Sequence, residues 1–307
     1  MLYILLCKVK SKGFGDMKLL KSIGQSFAYF MVVILISLPF IVWWAEYSKA
    51  RFPEIAGGPI EQLPIEIFTV GGAFLAIFIF GKFFKSVRIA DLGLHRKNSG
   101  AFAVTGFLMG VTLIIAILGA LYALDVLSIN PDYRMNVTPQ LIALVAGVTM
   151  NVIAQQIIVF GYMFTAIRKA TTATIAVITI SILFLVAHAG VFTQPWPVSG
   201  IASTNLFLAG LLLSMAHLRS GTLWLGIGFH TGWNLTQALA NLLVTGHDIG
   251  VGVPPLFFAG PDILTGGDIG VEGSIIGIPA VILGIIIIVG FFRQRSNAER
   301  GQTSHER

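Results

Sequence analysis

The chain has 307 residues, of which 55% are hydrophobic and only 11% are charged, and its mean hydropathy is +0.85. Soluble domains carry roughly 25% charged residues, so this composition excludes an ordinary soluble protein and predicts a membrane protein. The formal net charge is +6, but the basic residues lie near the ends of apolar segments and form no basic–aromatic patch. Nucleic acid is therefore not predicted as a partner.

Eight apolar runs are each long enough, at about 18 residues or more, to predict a membrane-spanning helix. In chain order they lie near residues 26–46, 66–84, 101–124, 140–166, 173–192, 201–218, 221–244 and 274–292. The sequence thus predicts an all-α polytopic membrane protein of about eight transmembrane helices. It divides into an N-terminal segment over 1–25, a single membrane domain over 26–292 and a basic tail over 293–307.

The distribution of basic residues predicts the orientation of these helices. With the N-terminus inside the cell, only Lys49, Arg51 and Arg134 of the 20 basic residues fall on the outer side. Lys and Arg concentrate in cytoplasmic loops, so the N-terminal segment and the basic tail are both predicted to be cytoplasmic. The basic inner segments are also predicted to contact anionic membrane lipids.

The acidic residues avoid the predicted spans, with Glu46 and Glu66 only at span ends. The outer loop 245–273 is acidic and has no Lys or Arg; its acidic residues are Asp248, Asp262, Asp268 and Glu272. No carboxylate is therefore predicted at membrane depth, unless Asp262 or Asp268 folds in from this loop.

Polar side chains inside three predicted spans are the strongest functional candidates, because such groups usually face the interior of a helix bundle. The fourth span carries Asn151, Gln155 and Gln156, and the first two are four residues apart on one helix face. The fifth span ends in Phe184-Leu-Val-Ala-His188. The seventh carries a stripe at helical spacing that is formed by His230, Asn234, Gln237 and Asn241.

Two interpretations of these polar groups remain open from spacing alone. Amides and imidazoles can tie helices together through hydrogen bonds at roughly 0.6–2 kcal/mol each. Alternatively, His188, His230 and Asn234 supply nitrogen and oxygen ligands on two helices, and a catalytic zinc takes about three protein ligands plus water. The same stripe leaves a third function class open, a transporter or channel lined by the seventh helix, although no inverted repeat is evident.

At these residues the sequence resembles the CAAX protease and bacteriocin-processing (CPBP, or Abi) family of intramembrane metalloproteases. Phe184-Leu-Val-Ala-His188 matches the Phe-x-x-x-His motif of that family, and His230-Thr-Gly-Trp-Asn234 matches its His-x-x-x-Asn motif. The similarity runs over about 140–292. It implies a CAAX-type metalloendopeptidase in a bacterial inner membrane, with His188, His230 and Asn234 at the metal or the oxyanion.

The first family motif, Glu-Glu-x-x-x-Arg, is changed to Gln155-Gln156-Ile-Ile-Val-Phe160. The resemblance implies that the first glutamate of this motif is the general base that activates a water. A general base needs a titratable group, and the Gln155 amide cannot take a proton from water. The remaining ligands are neutral, so a buried Zn²⁺ would lack a counter-charge. Zinc binding is therefore doubtful, and the joint loss of three charged residues predicts a pocket that has become neutral.

The sequence therefore favours a family member that is impaired or inactive in proteolysis and binds membrane proteins or peptide segments. The alternative is an active metallopeptidase in which a water held by His188 and His230, or a substrate carboxylate, replaces the missing base. Away from these motifs, Gly106 and Gly110 predict close helix packing. His217 is predicted to be interfacial, and His247 lies in the outer loop without a predicted partner.

Overall fold

The computed structural model of the chain describes residues 2–94, 98–134, 137–247 and 256–305, with side chains over 17–94, 98–134, 137–247 and 256–292. The helices are α1 (Leu2–Arg51), α2 (Pro59–Phe83), α3 (Ser99–Ala123), α4 (Pro139–Gln155), a π-helix (Gln156–Met163), α5 (Phe164–Ala170), α6 (Ala173–Ala187), α7 (Val198–Ser220), α8 (Trp224–Leu239), α9 (Asp262–Thr265) and α10 (Gly277–His305). The strands are β1 (Leu127–Ile129) and β2 (Leu256–Phe258).

Each of the eight apolar runs corresponds to a helix or a continuous helical stretch, so the predicted all-α membrane fold is confirmed. Five described segments are long and apolar enough to cross a membrane: Met17–Arg51, Pro59–Phe83, Ser99–Ala123, Pro139–Ala170 and Val198–Ser220. Ala173–Ala187 and Gly277–Phe292 are shorter apolar helices. The total of eight spans and the cytoplasmic side of both termini stay predictions.

The outer surface of the helix bundle is apolar, as contact with lipid requires. Ile115, Ile178 and Ile286 are 57%, 45% and 61% exposed, whereas the polar Ser181 and Ser214 are fully buried. Lipid tails are as apolar as leucine, so helix association in such a protein depends on close packing and interhelical hydrogen bonds.

Glycines on α3 and α8 bring these two helices into backbone contact. A Cβ atom at Gly110 would lie 2.3 Å from the Phe229 carbonyl oxygen, and a Cβ atom at Gly232 would lie 2.2 Å from the Phe107 carbonyl oxygen. Gly106 and Gly228 meet the facing backbone in the same way. The predicted close packing at Gly106 and Gly110 is confirmed, and its counterpart on α8, Gly228-x-x-x-Gly232, was not predicted.

A short antiparallel ribbon is the one departure from the predicted all-α fold among the described residues. β1 follows α3 and pairs with β2 in the outer loop, with Leu127 opposite Phe258 and Ile129 opposite Leu256. Three-residue strands are too short to give an alternating pattern, so the sequence predicts no strand here. The ribbon ties the loop between α3 and α4 to the loop between α8 and α10.

Helix α8 ends earlier than the predicted span over 221–244. Asn241 adopts the left-handed conformation, with φ of 54°, and Leu242 donates its backbone N–H to the Gln237 carbonyl oxygen at 2.9 Å. Such a left-handed residue commonly ends a helix, and asparagine tolerates it. The predicted inclusion of Asn241 in the polar stripe is therefore wrong, because the helical part of the stripe ends at Gln237.

On the side of the bundle predicted to be cytoplasmic, Asp91 joins the segment between α2 and α3 to α5. Lys169 Nζ donates to Asp91 Oδ2 at 2.9 Å, and so does the Arg88 backbone N–H at the same distance. Partial burial would raise the pKa of Asp91, but the hydrogen bonds from Lys169 and Arg88 outweigh it and hold the pKa below its ordinary value.

We expect Asp91→Asn to lower stability at neutral pH by less than about 1 kcal/mol, because the pair is close to solvent. The folded-state pKa is depressed, so the contribution is present above the unfolded-state pKa and is lost as the pH falls through the folded-state pKa. The thermal midpoints of wild type and variant should therefore differ at pH 7 and converge in strong acid. A difference independent of pH would contradict the ionic origin of this contact.

Candidate functional site

A cavity of about 850 Å³ lies among α2, α4, α6, α7 and α8. One end is bordered by Gly57–Pro59 and Val244–His247, in loops that the charge distribution predicts on the outer side. Its polar lining residues are Gln62, Glu66, Asn151, Gln155, His188, Asn205, His230, Asn234, Thr245, His247 and Glu272. Four of the five site residues predicted from sequence thus line one cavity; the fifth, Gln156, is fully buried behind it.

The Phe-x-x-x-His motif lies at the end of α6. The last helical residue is Ala187, and His188 Nδ1 donates to the Phe184 carbonyl oxygen at 2.7 Å. This bond places the remaining ring lone pair on Nε2. The Phe184 ring centroid lies 4.5 Å from that of His188 and 6.1 Å from that of His230, so this phenylalanine contacts both histidines of the site.

The His-x-x-x-Asn motif lies on α8, one turn apart on one helix face. His230 and Asn234 are 8% and 7% exposed, and both line the cavity. Gln237, the next member of the stripe, is fully buried. Its nitrogen donates to the Leu243 carbonyl oxygen at 3.2 Å, and its oxygen lies 3.0 Å from Trp233 Nε1 and shares that N–H with Glu272 Oε1, which is closer at 2.8 Å. The Gln237 side chain therefore stabilises the C-terminal end of α8 by hydrogen bonding to the chain that follows the helix.

The changed first motif lies where α4 passes into the π-helix. Gln156 Nε2 and His230 Nδ1 are 3.5 Å apart, and when the amide donates, the ring proton of His230 lies on Nε2. The Gln156 Oε1 atom is buried without a hydrogen-bond partner in the described part of the chain. A Cβ atom at Gly226 would lie 2.7 Å from that oxygen, so the absence of a side chain there makes room for the amide.

A buried histidine, His217, forms a hydrogen bond to the backbone of the π-helix. π-Helical turns often occur at functional sites, and this one, Gln156–Met163, contains both Gln156 and Phe160. His217 on α7 is buried, and its Nδ1 donates to the Phe160 carbonyl oxygen at 2.6 Å. The predicted interfacial position of His217 is therefore wrong, because its side chain turns inward to a backbone carbonyl.

We expect His217→Ala to destabilise the protein by about 1–3 kcal/mol, since it leaves a buried carbonyl oxygen without its donor. The thermal midpoint of the purified protein in detergent should fall, and His217→Gln should recover part of the loss. His247→Ala, at an exposed loop histidine, is the matched control and should change little. Equal midpoints for the His217→Ala and His247→Ala variants would contradict a supporting role.

A carboxylate enters the site from α2, where the sequence predicted none. Asn151 Nδ2 donates to Glu66 Oε1 at 3.1 Å, and Gln155 Nε2 donates to Asn151 Oδ1 at 2.7 Å. Glu66 lies well inside α2 because the helix begins at Pro59 and not at residue 66. Proline is tolerated in the first turn of a helix, so Pro59 can begin α2 seven residues before the predicted span at 66–84, and Pro64 lies inside the helix.

A second carboxylate comes from the outer loop. Glu272 accepts from Trp233 Nε1 at 2.8 Å and from Thr245 Oγ1 at 2.5 Å. Asp262 and Asp268, the residues considered in the sequence analysis, are exposed. The prediction that only Asp262 or Asp268 could bring a carboxylate to the site is therefore wrong, because Glu66 and Glu272 line the cavity.

These residues do not fit a catalytic zinc site. Within the described ranges, no three His, Cys, Asp or Glu side chains are grouped so that they could hold a metal ion. The two carboxylates of the cavity accept from Asn151, Trp233 and Thr245 and are not grouped with the two motif histidines in a set of three such ligands. The amide of Gln156 contacts the Nδ1 atom of His230, where a carboxylate would orient a metal-binding ring with its proton on Nδ1.

The comparison with protein families gives one match in this region. Residues 137–236 match the family described as type II CAAX prenyl endopeptidase Rce1-like. The matched residues run from just before α4 through most of α8 and include all three motif positions. Neither the comparison with curated proteins nor that with solved structures gave a match. The chain is an integral membrane protein in which residues 137–236 are similar to this family, in agreement with the resemblance to CPBP proteases seen in the motifs.

Proposed function

We propose that the protein binds segments of membrane proteins or peptides in this cavity without cleaving them efficiently. The observation that carries the proposal is that the two positions of the family glutamates hold amides committed to neighbouring side chains. Gln155 donates to Asn151, and Gln156 contacts His230. The Gln156–His230 contact joins the π-helix to α8, as in the first interpretation of the polar residues, whereas Gln155 and Asn151 both lie on α4.

The missing base is the chemical reason for impaired cleavage. A general base must lie within hydrogen-bond reach of the water it activates, or one water away. The Gln155 amide cannot accept that proton, and Glu66 is separated from Gln155 by the intervening Asn151 amide. Without a group of three ionisable ligands, zinc is not proposed as a resident cofactor.

The shape of the cavity supports a binding role. Its volume of about 850 Å³ lies within the range of roughly 300–1,000 Å³ that is typical of ligand sites. Leu144, Leu206 and Leu213 contribute apolar surface, and the amides and carboxylates contribute polar groups. Such a lining suits a peptide segment with apolar side chains and free backbone groups. The proposed location is the bacterial inner membrane.

One observation favours the alternative of an active peptidase. The chain from Gln155 through Asn151 to Glu66 brings a carboxylate within two side chains of the usual base position. An active enzyme would need Glu66 or a substrate carboxylate to reach the water directly. If Glu66 is the base, Glu66→Gln would abolish cleavage; if a substrate carboxylate is the base, cleavage would survive that change, whereas the binding role predicts no cleavage to abolish.

A cleavage assay separates the two functions. Wild type, His188→Ala and a Gln155→Glu/Gln156→Glu/Phe160→Arg variant, purified in detergent with added zinc, are tested on a quenched-fluorescence peptide library. We expect no cleavage by wild type and measurable cleavage by the triple variant, which restores the family pattern. Cleavage by wild type that disappears in His188→Ala would overturn the proposal.

A further inference from the structure

Two carboxylates give the cavity free hydrogen-bond acceptors. Glu66 and Glu272 line it, and none of the described lining residues is Lys or Arg. Glu66 accepts from Asn151 through Oε1. Glu272 accepts one bond on each oxygen, from Trp233 and Thr245. A carboxylate offers about four acceptor sites on its two oxygens, so both groups can accept further donors.

Asn205 adds an acceptor that has no partner. It lies on α7, is 4% exposed and lines the same cavity. Its Nδ2 donates to the carbonyl oxygens of Glu272 at 2.8 Å and Ser274 at 3.1 Å, while its Oδ1 is buried without a partner among the described residues. An unsatisfied buried acceptor is unfavourable by about 1–3 kcal/mol, so a ligand that brings a donor would be favoured here.

The arrangement points to a cationic donor group. Ammonium and guanidinium groups carry donors only, and their hydrogen bonds to carboxylates are about twice as strong as neutral ones. A buried cation without partners is strongly disfavoured, whereas two carboxylates and an unpaired amide oxygen supply both charge and acceptors. The neighbouring Leu206 and Val281 suit the aliphatic part of a long basic side chain.

We propose that the peptide segment bound by this protein carries a Lys or Arg residue, whose charged group is held by Glu66 and Glu272. This inference rests on the proposed binding function and names the chemical class of its ligand. The apolar part of the cavity wall then receives the residues on either side of that basic residue.

The test uses full-length protein in phosphatidylcholine nanodiscs and fluorescent apolar peptides that differ only at one central residue, Lys, Gln or Glu. Fluorescence anisotropy gives each Kd. We expect the Lys peptide to bind at least about tenfold more tightly than the Gln peptide, the effect of one charge-assisted hydrogen bond. Glu66→Gln and Glu272→Gln should each reduce that ratio to about twofold, and Asp268→Asn, at an exposed residue of the same loop, should leave it unchanged.

The outcomes separate this inference from the function on which it rests. Equal binding of the three peptides by wild type would overturn the preference for a cation and leave peptide binding intact. No binding of any peptide would overturn both. Loss of the Lys preference when phosphatidylethanolamine replaces half of the phosphatidylcholine would assign the carboxylates to a lipid ammonium group and overturn the peptide assignment. The wild-type series decides the matter even if a variant fails to fold.

Discussion

Replacing Gly110 by valine is expected to lower the stability of the purified protein by about 3 kcal/mol, at the upper end of the usual effect of overpacking. The new Cβ atom would lie 2.3 Å from the Phe229 carbonyl oxygen and 2.7 Å from the Trp233 backbone nitrogen. Both atoms belong to backbone, so relief requires movement of α8 as a whole. Such movement would displace His230 and Asn234, so peptide binding should also weaken. Thermal unfolding in detergent and the anisotropy assay measure the two effects.

Gly119→Val is the matched control, because it lies on the same helix and nothing lies within 4 Å of its added Cβ atom. It should leave both readouts near the wild-type values. Similar losses in both variants would mean that the effect reflects glycine replacement in α3 generally, and would contradict a specific role for the α3–α8 contact.

Glu272→Ala is expected to release the outer loop from α8 and to destabilise the protein by about 3 kcal/mol, because each lost hydrogen bond to a carboxylate contributes roughly 1.5–3 kcal/mol. The substitution removes the acceptor of Trp233 Nε1 and of Thr245 Oγ1. Amide hydrogen exchange over residues 256–276 should become faster, while exchange in α3 should stay slow.

Asp268→Ala tests whether Glu272 acts through these contacts or through the charge of the loop. Asp268 belongs to the same loop and is exposed, so its replacement removes a negative charge without removing the contacts to α8. Exchange over 256–276 should then match that of wild type. Faster exchange in both variants would indicate that loop charge, and not the Trp233 and Thr245 bonds, holds the segment in place.

The sequence predicted the helices well because long apolar runs carry a strong signal. Motif order also predicted that His188, His230 and Asn234 belong to one site, and the structure places all three at one cavity. The similarity to the Rce1-like family over residues 137–236 includes the same three residues. These features depend on local composition and on chain order, which a sequence shows directly.

The two carboxylates of the cavity could not be predicted in the same way. Glu66 was placed at a span end because the predicted span begins at residue 66, whereas α2 begins at Pro59. Glu272 reaches the cavity through contacts with residues on α8 and in the following loop, and its neighbours Asp262 and Asp268 carry the same sequence signal but are exposed. Which acidic residue of a loop turns inward depends on tertiary contacts.

The packing roles of His217 and Gly232 could not be predicted either, because they depend on tertiary contacts. A histidine near a span end and a glycine beside a motif both have ordinary local explanations. Their roles depend on the Phe160 carbonyl oxygen and the Phe107 carbonyl oxygen, which lie on other helices. A sequence-level signal existed only for the glycines, as two small residues four apart on α8 that match those on α3.

Photo-crosslinking followed by mass spectrometry tests the central claim most directly, that membrane peptides bind in the cavity and remain intact. Wild-type protein in nanodiscs is incubated with a Lys-containing apolar peptide that carries a diazirine, and is then irradiated. We predict adducts of full-length peptide on cavity residues such as Leu206 and Leu213. Adducts confined to lipid-facing residues such as Ile178 and Ile182, or adducts of cleaved peptide, would contradict it.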